Sequence, residues 1–206
     1  VQALGSATVI CSDKTGTLTK NEMTVKVVFD GSRHFELTGT GYEPAGEILH
    51  DWIPKPEAER EHLAMCFRVG LLCNESSLYE DDGIWRVNGD PTEGALLVAA
   101  AKAGAYTVEV KQSYPRESEV PFDSERKRMI TIHDVKNPRP DDASPFLDEK
   151  LRNWDVIAVK GAPDVVLDLC TQYQDRNDEP KPMTEEVRRQ ILAANDEMTR
   201  DALRVL

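Results

Sequence analysis

No apolar run in this 206-residue sequence approaches the ~20 residues needed to cross a bilayer; the longest passage, "ALLVAAAKAGA", is broken by a lysine and a glycine. A charged leader followed by an apolar stretch is also lacking, so no signal segment is read. Cysteine is scarce: Cys11, Cys66, Cys73 and Cys170 have no CxxC spacing, which argues against a zinc site and for reduced thiols in a cytosolic setting. His62 and Cys66 would share a helix face, but that spacing reads first as a core-facing stripe. Positive charge is short as well. A formal net charge of −12 leaves no concentrated basic face for a nucleic-acid backbone, although a few local Lys and Arg side chains can still hold one nucleotide. What the sequence does have is 40% hydrophobic and 30% charged residues, enough for a buried core and too apolar for wholesale disorder. The length allows one ordinary domain, or one domain with a piece of another.

"ATVIC" is a short apolar run that predicts a buried strand delivering the polar loop "SDKTG". "MTVKVVFD" predicts a second strand, with Gly31 marking a turn, and "TGTGYEPAGE" is a polar connection. In "KPEAEREHLAMCFRVGLLCNES", Leu63, Cys66, Phe67 and Gly70 recur at helical steps. "GIWRVNG" is a short strand bounded by glycines. "DPTEGALLVAAAKAGA" carries a strong helix start, with Asp90 as N-cap, Pro91 in the first turn and Glu93 placed for a capping box. "YTVEVKQSY", "ESEVPFDSE", "RMITIHDV" and "WDVIAVKG" read as β-rich, and "NPRPDDASP" as a surface loop. "PDVVLDLC" predicts a short helix. From Thr184 to the end, Val187, Ile191, Ala194, Met198 and Ala202 line one face of a long helix.

Asp13 follows a predicted strand, where open α/β sheets place their chemistry. A carboxylate there can attack phosphorus and form an aspartyl-phosphate, dividing a difficult transfer into two easier steps. Lys14 can compensate charge, Gly16 lets backbone approach phosphate, and Thr15 and Thr17 add hydroxyls. Taken alone, "DKTG" is also an ordinary turn with an Asx cap. The full string "CSDKTGTLTKN" closely resembles the phosphorylation signature of P-type ATPases, the membrane ion pumps. The resemblance implies that Asp13 is the phosphorylated nucleophile, with Lys14 beside it, and that Thr15 joins Asp13 as a partial magnesium ligand. Related phosphatases carry a second Asp where this chain has Thr15. A threonine is a poor general base near neutral pH, so the acyl-phosphate is expected to persist.

Three further stretches resemble the nucleotide-binding domain of that family, in the same order along the chain. "VPFDSERKRM" looks like its adenine-stacking segment, with Phe122 under the base, Lys127 near the phosphates and Arg126 or Arg128 close by. "VKGAP" resembles its second lysine element, Lys160 and Gly161. "GDPTEGALL" resembles the acidic motif of type II pumps, which puts Glu93 and Thr92 on the adenine side; that role is compatible with their helix start. "DALRVL" resembles a fourth element, in which Arg204 reaches the phosphates. Ser124 replaces an arginine found in some members, so no contact is carried over there.

The expected fold class is therefore α+β. Residues 1–25 are read as the leading strand and loop of a haloacid-dehalogenase-like phosphorylation domain, and 26–206 as a nucleotide-binding domain with a twisted antiparallel sheet flanked by helices. The implied parent is a cation pump, nearest the calcium-type members, using ATP and magnesium. Its partners would be the remaining phosphorylation, actuator and transmembrane parts, with the chain itself soluble at the cytosolic face and taking no nucleic acid. Two competitors remain: a free-standing haloacid-dehalogenase-class phosphotransferase or phosphatase, and a non-catalytic nucleotide-binding module. The first is disfavoured by Thr15 and by the lack of downstream catalytic acids.

Overall fold

The computed structural model describes residues 8–9, 11–14, 16–54, 63–105, 107–135, 155–175 and 179–206. Thr15, His62 and the "NPRPDDASP" loop lie outside the described residues. Among the described residues, four antiparallel sheets and five helices make an α+β fold. The pairing is antiparallel as expected, but the strands are divided among four sheets instead of one.

The first sheet has four short strands in sequence order, β1 (Val27–Phe29), β2 (His34–Leu37), β3 (Ile48–His50) and β4 (Ile53–Pro54). Helix α1 (Ala64–Leu72) follows, then the hairpin β5 (Ser77–Asp81) and β6 (Ile84–Asn88). Its turn, Asp82-Gly83, has positive φ at both residues (49° and 76°), the geometry that matches strand twist in two-residue loops. Helix α2 (Pro91–Lys102) and helix α3 (Thr107–Ser113) come next. A three-stranded sheet is built from β7 (Arg116–Asp123), β8 (Arg128–Asp134) and β9 (Asp155–Gly161). Helix α4 (Pro163–Leu169), the small hairpin β10 (Gln172–Gln174) and β11 (Pro180–Pro182), and helix α5 (Glu185–Arg200) complete the described chain.

Two apolar clusters hold these elements. Phe35, Leu37 and Ile48 of the first sheet pack with Leu63, Phe67 and Leu71 at α1 and with Leu97, Ala99 and Ala100 of α2. Leu72 and Cys73 at the end of α1 instead join Tyr114, Met129 and Ala158 over the three-stranded sheet. Helix α1 thus reaches both clusters, as does Val110 of α3. Its last carbonyls need partners that the helix cannot supply. Leu72 O receives Arg116 Nη2 at 2.8 Å and Thr131 Oγ1 at 3.3 Å, so the sheet itself caps the helix. His133, buried beneath, donates Nδ1–H to Tyr114 O at 3.0 Å, because a carbonyl can only accept. Its Nε2 then lies 2.9 Å from Thr131 Oγ1, whose single hydrogen is shared between this nitrogen and Leu72 O. Burial holds this histidine below its ordinary pKa, consistent with the neutral ring.

Three expectations need correction. "YTVEVKQSY" is not a strand: α3 runs over Thr107–Ser113, with Val110 against the core and Val108 67% exposed. Its alternating valines imitate a period of two, while Tyr114 N bonds Val110 O at 2.9 Å in helical fashion. The strand expected over "ATVIC" has no counterpart among the described residues. Thr8, Val9 and Cys11 are exposed and outside any strand, Val9 at 75%, and Ala7 and Ile10 lie outside the described residues. The third correction is the end of the long helix. Helix α5 stops at Arg200 because Ala202 enters the left-handed region at φ 59°. Leu203 N then bonds Met198 O at 3.2 Å and Ala202 N bonds Thr199 O at 3.0 Å, the pair of bonds that defines a Schellman turn.

Candidate functional site

Helix α2 begins as its sequence dictates. Asp90 Oδ1 accepts the amides of Thr92 (2.8 Å) and Glu93 (3.2 Å), satisfying donors that the first turn leaves open. Glu93 does not use its side chain as the returning half of a capping box. Its Oε1 meets Lys160 Nζ at 2.6 Å, and its Oε2 accepts Glu75 N at 2.9 Å, Ser76 N at 3.1 Å and Ser76 Oγ at 3.1 Å. Both charged side chains of the pair are 13% exposed. Burial pushes the Glu93 carboxyl up, but the Lys160 hydrogen bond and charge and the donors from Glu75 and Ser76 outweigh it, and the net shift is downward. Glu93 is therefore an ionised acceptor at neutral pH.

Lys160 comes from β9, opposite Met129 on β8, and so lies on the face that carries buried Met129, Thr131 and Ala158. Gly161 pairs with Arg128 at the strand end. A Cβ on Gly161 would come within 2.4 Å of Lys127 O and 2.8 Å of Arg128 Cα, so close packing of backbone on backbone already demands glycine there. Ala162 N continues this seam by donating to Lys127 O at 3.0 Å.

Phe122 lies near the end of β7, in a register shift between Val120 and Asp123 where β7 carries one residue more than β8. Such bulges re-aim side chains. Phe122 is 63% exposed, an apolar ring left open at the end of the sheet. Asp123 then organises the turn, its Oδ1 accepting the amides of Glu125 (3.0 Å) and Arg126 (2.8 Å). The Arg126 amide bond is the main reason its carboxyl is held below the usual range. Lys127 adopts φ 51°, its side chain exposed and its amide bonded to Asp123 O at 2.7 Å. The register Asp123 to Arg128 to Gly161 therefore gathers Phe122, Lys127 and Lys160 at one end of one sheet, with Glu93 against Lys160.

Arg204 arrives by the Schellman turn and not on a helix. Its Nη1 donates to Thr92 Oγ1 at 3.1 Å, which brings the C-terminal stretch to the start of α2. Asp13 and Lys14 stand elsewhere, in an exposed N-terminal loop. Lys14 O accepts the amides of Leu18 (3.0 Å) and Thr19 (3.2 Å), and Gly16 turns at φ 74°. Among the described residues no three His, Cys, Asp or Glu side chains group as a metal site; Thr15, expected with Asp13 as a partial magnesium ligand, lies outside them. The four cysteines are free, and no described helix is long and apolar enough to cross a membrane.

A family model described as "P-type ATPase, cytoplasmic domain N" matches residues 62–206. The chain belongs to the P-type ATPase family. A cation-transporting ATPase of Synechocystis, pma1, is 47% identical over 145 residues, covering 65% of this chain and 15% of that protein. The calcium-transporting ATPase of Bacillus subtilis is 39% identical over 197 residues, covering 93% of this chain and 20% of that protein. The probable cation-transporting ATPase F of Mycobacterium tuberculosis is 36% identical over 207 residues, covering 100% of this chain and 21% of that protein. The chain spans about a fifth or less of the length of these relatives.

Three residues at this corner of the P-type ATPase chain escaped the sequence reading: Asn74, Ser76 and Arg116. Asn74 Nδ2 reaches Gly70 O at 3.1 Å and Glu93 O at 2.9 Å, and Arg116 Nη2 holds Asn74 O at 2.6 Å. No spacing rule marks them, since "CNES" after a helix reads simply as its polar end. The available signal was Gly89, whose φ of 127° only glycine accepts readily and whose missing Cβ leaves room for Ser76.

Proposed function

We propose that this chain is the ATP-holding part of a cation-transporting P-type ATPase of the calcium-pump kind, acting on the cytosolic face of a membrane. The observation that carries the reading is the convergence at one sheet end. An exposed aromatic ring, Phe122, lies at the same sheet end as a mostly buried, ion-paired lysine, Lys160, whose partner Glu93 opens helix α2.

Each group has a physical task. Phe122 offers a flat apolar face to the adenine, a contact of about 1–3 kcal/mol in comparable base–aromatic stacks. Glu93, ionised, accepts hydrogen bonds on the base side, beside Thr92. Lys160 and Lys127 carry positive charge to the nucleotide on an otherwise acidic protein, and Arg204 is drawn to the same place through Thr92. Asp13 is the phosphoryl acceptor of the parent pump, with Lys14 and Thr15 beside it, and magnesium accompanies the nucleotide to that centre. Thr15 in place of a second aspartate leaves the acyl-phosphate without a general base, which suits a pump and not a free-standing phosphatase. The remaining phosphorylation, actuator and transmembrane parts of the pump are the partners.

Titration calorimetry of the 206-residue chain with a non-hydrolysable ATP analogue tests this. Saturable binding is expected, unchanged in Asp13→Asn, with no appreciable phosphate release from ATP itself. No detectable heat at millimolar nucleotide would overturn the reading. Robust phosphate release abolished by Asp13→Asn would favour a self-sufficient phosphatase instead.

A further inference from the structure

The two oxygens of the Glu93 carboxylate face different neighbours. Oε2 is enclosed by three donors, Glu75 N, Ser76 N and the Ser76 hydroxyl, while Oε1 faces Lys160. Ser76 and Asn74 are both buried and act on each other: Ser76 N shares its hydrogen between Glu93 Oε2 and Asn74 Oδ1, the latter at 2.9 Å. Asn74 also donates to the Glu93 carbonyl at 2.9 Å, so the two residues hold Glu93 by side chain and backbone together. Their segment is fixed from both sides. Arg116 on β7 clamps the carbonyls of Leu72 and Asn74, and a Cβ at Gly89 would stand only 2.2 Å from Ser76 Oγ.

We propose that Ser76 and Asn74 are positioning residues for nucleotide capture, fixing the Glu93 carboxylate so that one oxygen is locked into the protein and the other is presented to Lys160 and the incoming base. This rests on the nucleotide-binding reading above. A carboxylate held by one contact would rotate and pull the Lys160 ammonium with it. Held by three donors, it defines where that ammonium stands before any ligand arrives. Among the described residues the charged groups around Glu93 include Lys160 of β9, Glu75 after α1, Asp90 at the same helix start and Arg204, bonded to the neighbouring Thr92; the Cys73 thiol is also near, kept neutral by burial. Lys160 favours the ionised carboxylate by charge. The Ser76 hydroxyl does so by hydrogen bonding.

The test compares wild type, Ser76→Ala, Glu93→Gln and the double variant by calorimetry with the ATP analogue, across neutral and acidic pH. Ser76→Ala is expected to weaken binding roughly tenfold, as for loss of a hydrogen bond to a charged group. It should also move the acid limb of the affinity profile to higher pH, since the carboxylate loses a donor that favours its charged form. In the Glu93→Gln background the same change should add less than about twofold, because both act through one carboxylate. The side-chain carboxyl 13C titration of Glu93 should shift upward in Ser76→Ala. Circular dichroism checks the fold, and Asn74→Ser, which gives up the bond to the Glu93 carbonyl, provides a second variant with the same expected non-additivity.

Unchanged affinity and acid limb in Ser76→Ala, with wild type binding normally, would overturn this proposal alone. A loss that adds in full to that of Glu93→Gln would likewise reduce Ser76 to a structural role. Absence of binding in the wild type would remove the nucleotide reading and this proposal together.

Discussion

The Glu93–Lys160 corner and the Phe122 rim occupy the same end of one sheet, yet their side chains meet solvent very differently. Glu93 and Lys160 are ion-paired, nearly buried and fixed by donors from a separate segment. Phe122 is mostly exposed and carried by a bulge, with the turn beyond it held by Asp123. The corner is preorganised by the fold, whereas the rim leaves its apolar ring for something else to cover. Substitutions should therefore separate stability from affinity: corner residues contribute to both, and rim residues to affinity alone.

The sharpest way to break that contrast is Lys160→Ala. It strands a buried carboxylate, and should lower unfolding free energy by about 3 kcal/mol in denaturant titrations while also abolishing measurable ATP-analogue binding. A variant that bound poorly but unfolded like wild type would place the corner with the rim. Phe122→Ala is the complementary change. Affinity should fall by about 1–3 kcal/mol, with the denaturation midpoint essentially unmoved because the ring is exposed. A clear drop in midpoint would mean that the rim is structural after all.

Acid should act on the corner through Glu93. The folded Glu93 pKa lies below its ordinary 4.5, so its contribution is fully present above 4.5 and is lost as pH falls through the folded value. Stability measured against pH should accordingly fall less steeply below 4.5 in Glu93→Gln than in wild type, and equal slopes would deny the pair its linkage. Asp30, lowered to about 2, remains in both proteins as a common background. The smallest effect belongs to the tail that brings Arg204 to Thr92. Ala202→Gly removes the cost of a side chain in the left-handed region and should stabilise by about 1 kcal/mol, leaving nucleotide affinity nearly unchanged. Destabilisation would show that the Ala202 methyl makes a contact worth more than the strain.

How far the sequence anticipated this depended on the range over which each signal acts. The Asp90 cap, Pro91 and the start of α2 were legible because capping is decided within four residues. The β8 and β9 strands were legible because one buried face enforces alternation. Helix α3 was misread because two valines at alternate positions satisfy a strand pattern as well as a helix packed on one side. The early stop of α5 was invisible because Ala202 occupies a position where glycine is the usual signal. At the site, Lys160 and Glu93 could be named singly, but their pairing spans 67 positions and depends on how α2 meets the sheet. Asn74 and Ser76 gave no local sign at all, since their work is done on a residue brought to them by the fold.

Leu71 and Leu72 are adjacent in the chain, yet each belongs to a different apolar cluster. Helix α1 is consequently a keel with planking on both sides. Neither cluster can loosen without exposing a flank of the helix that serves the other, so the two should melt in one cooperative step. The Asn74–Ser76 segment follows directly from this helix and holds the Glu93 carboxylate, so a substitution under the first sheet is expected to be felt at that carboxylate.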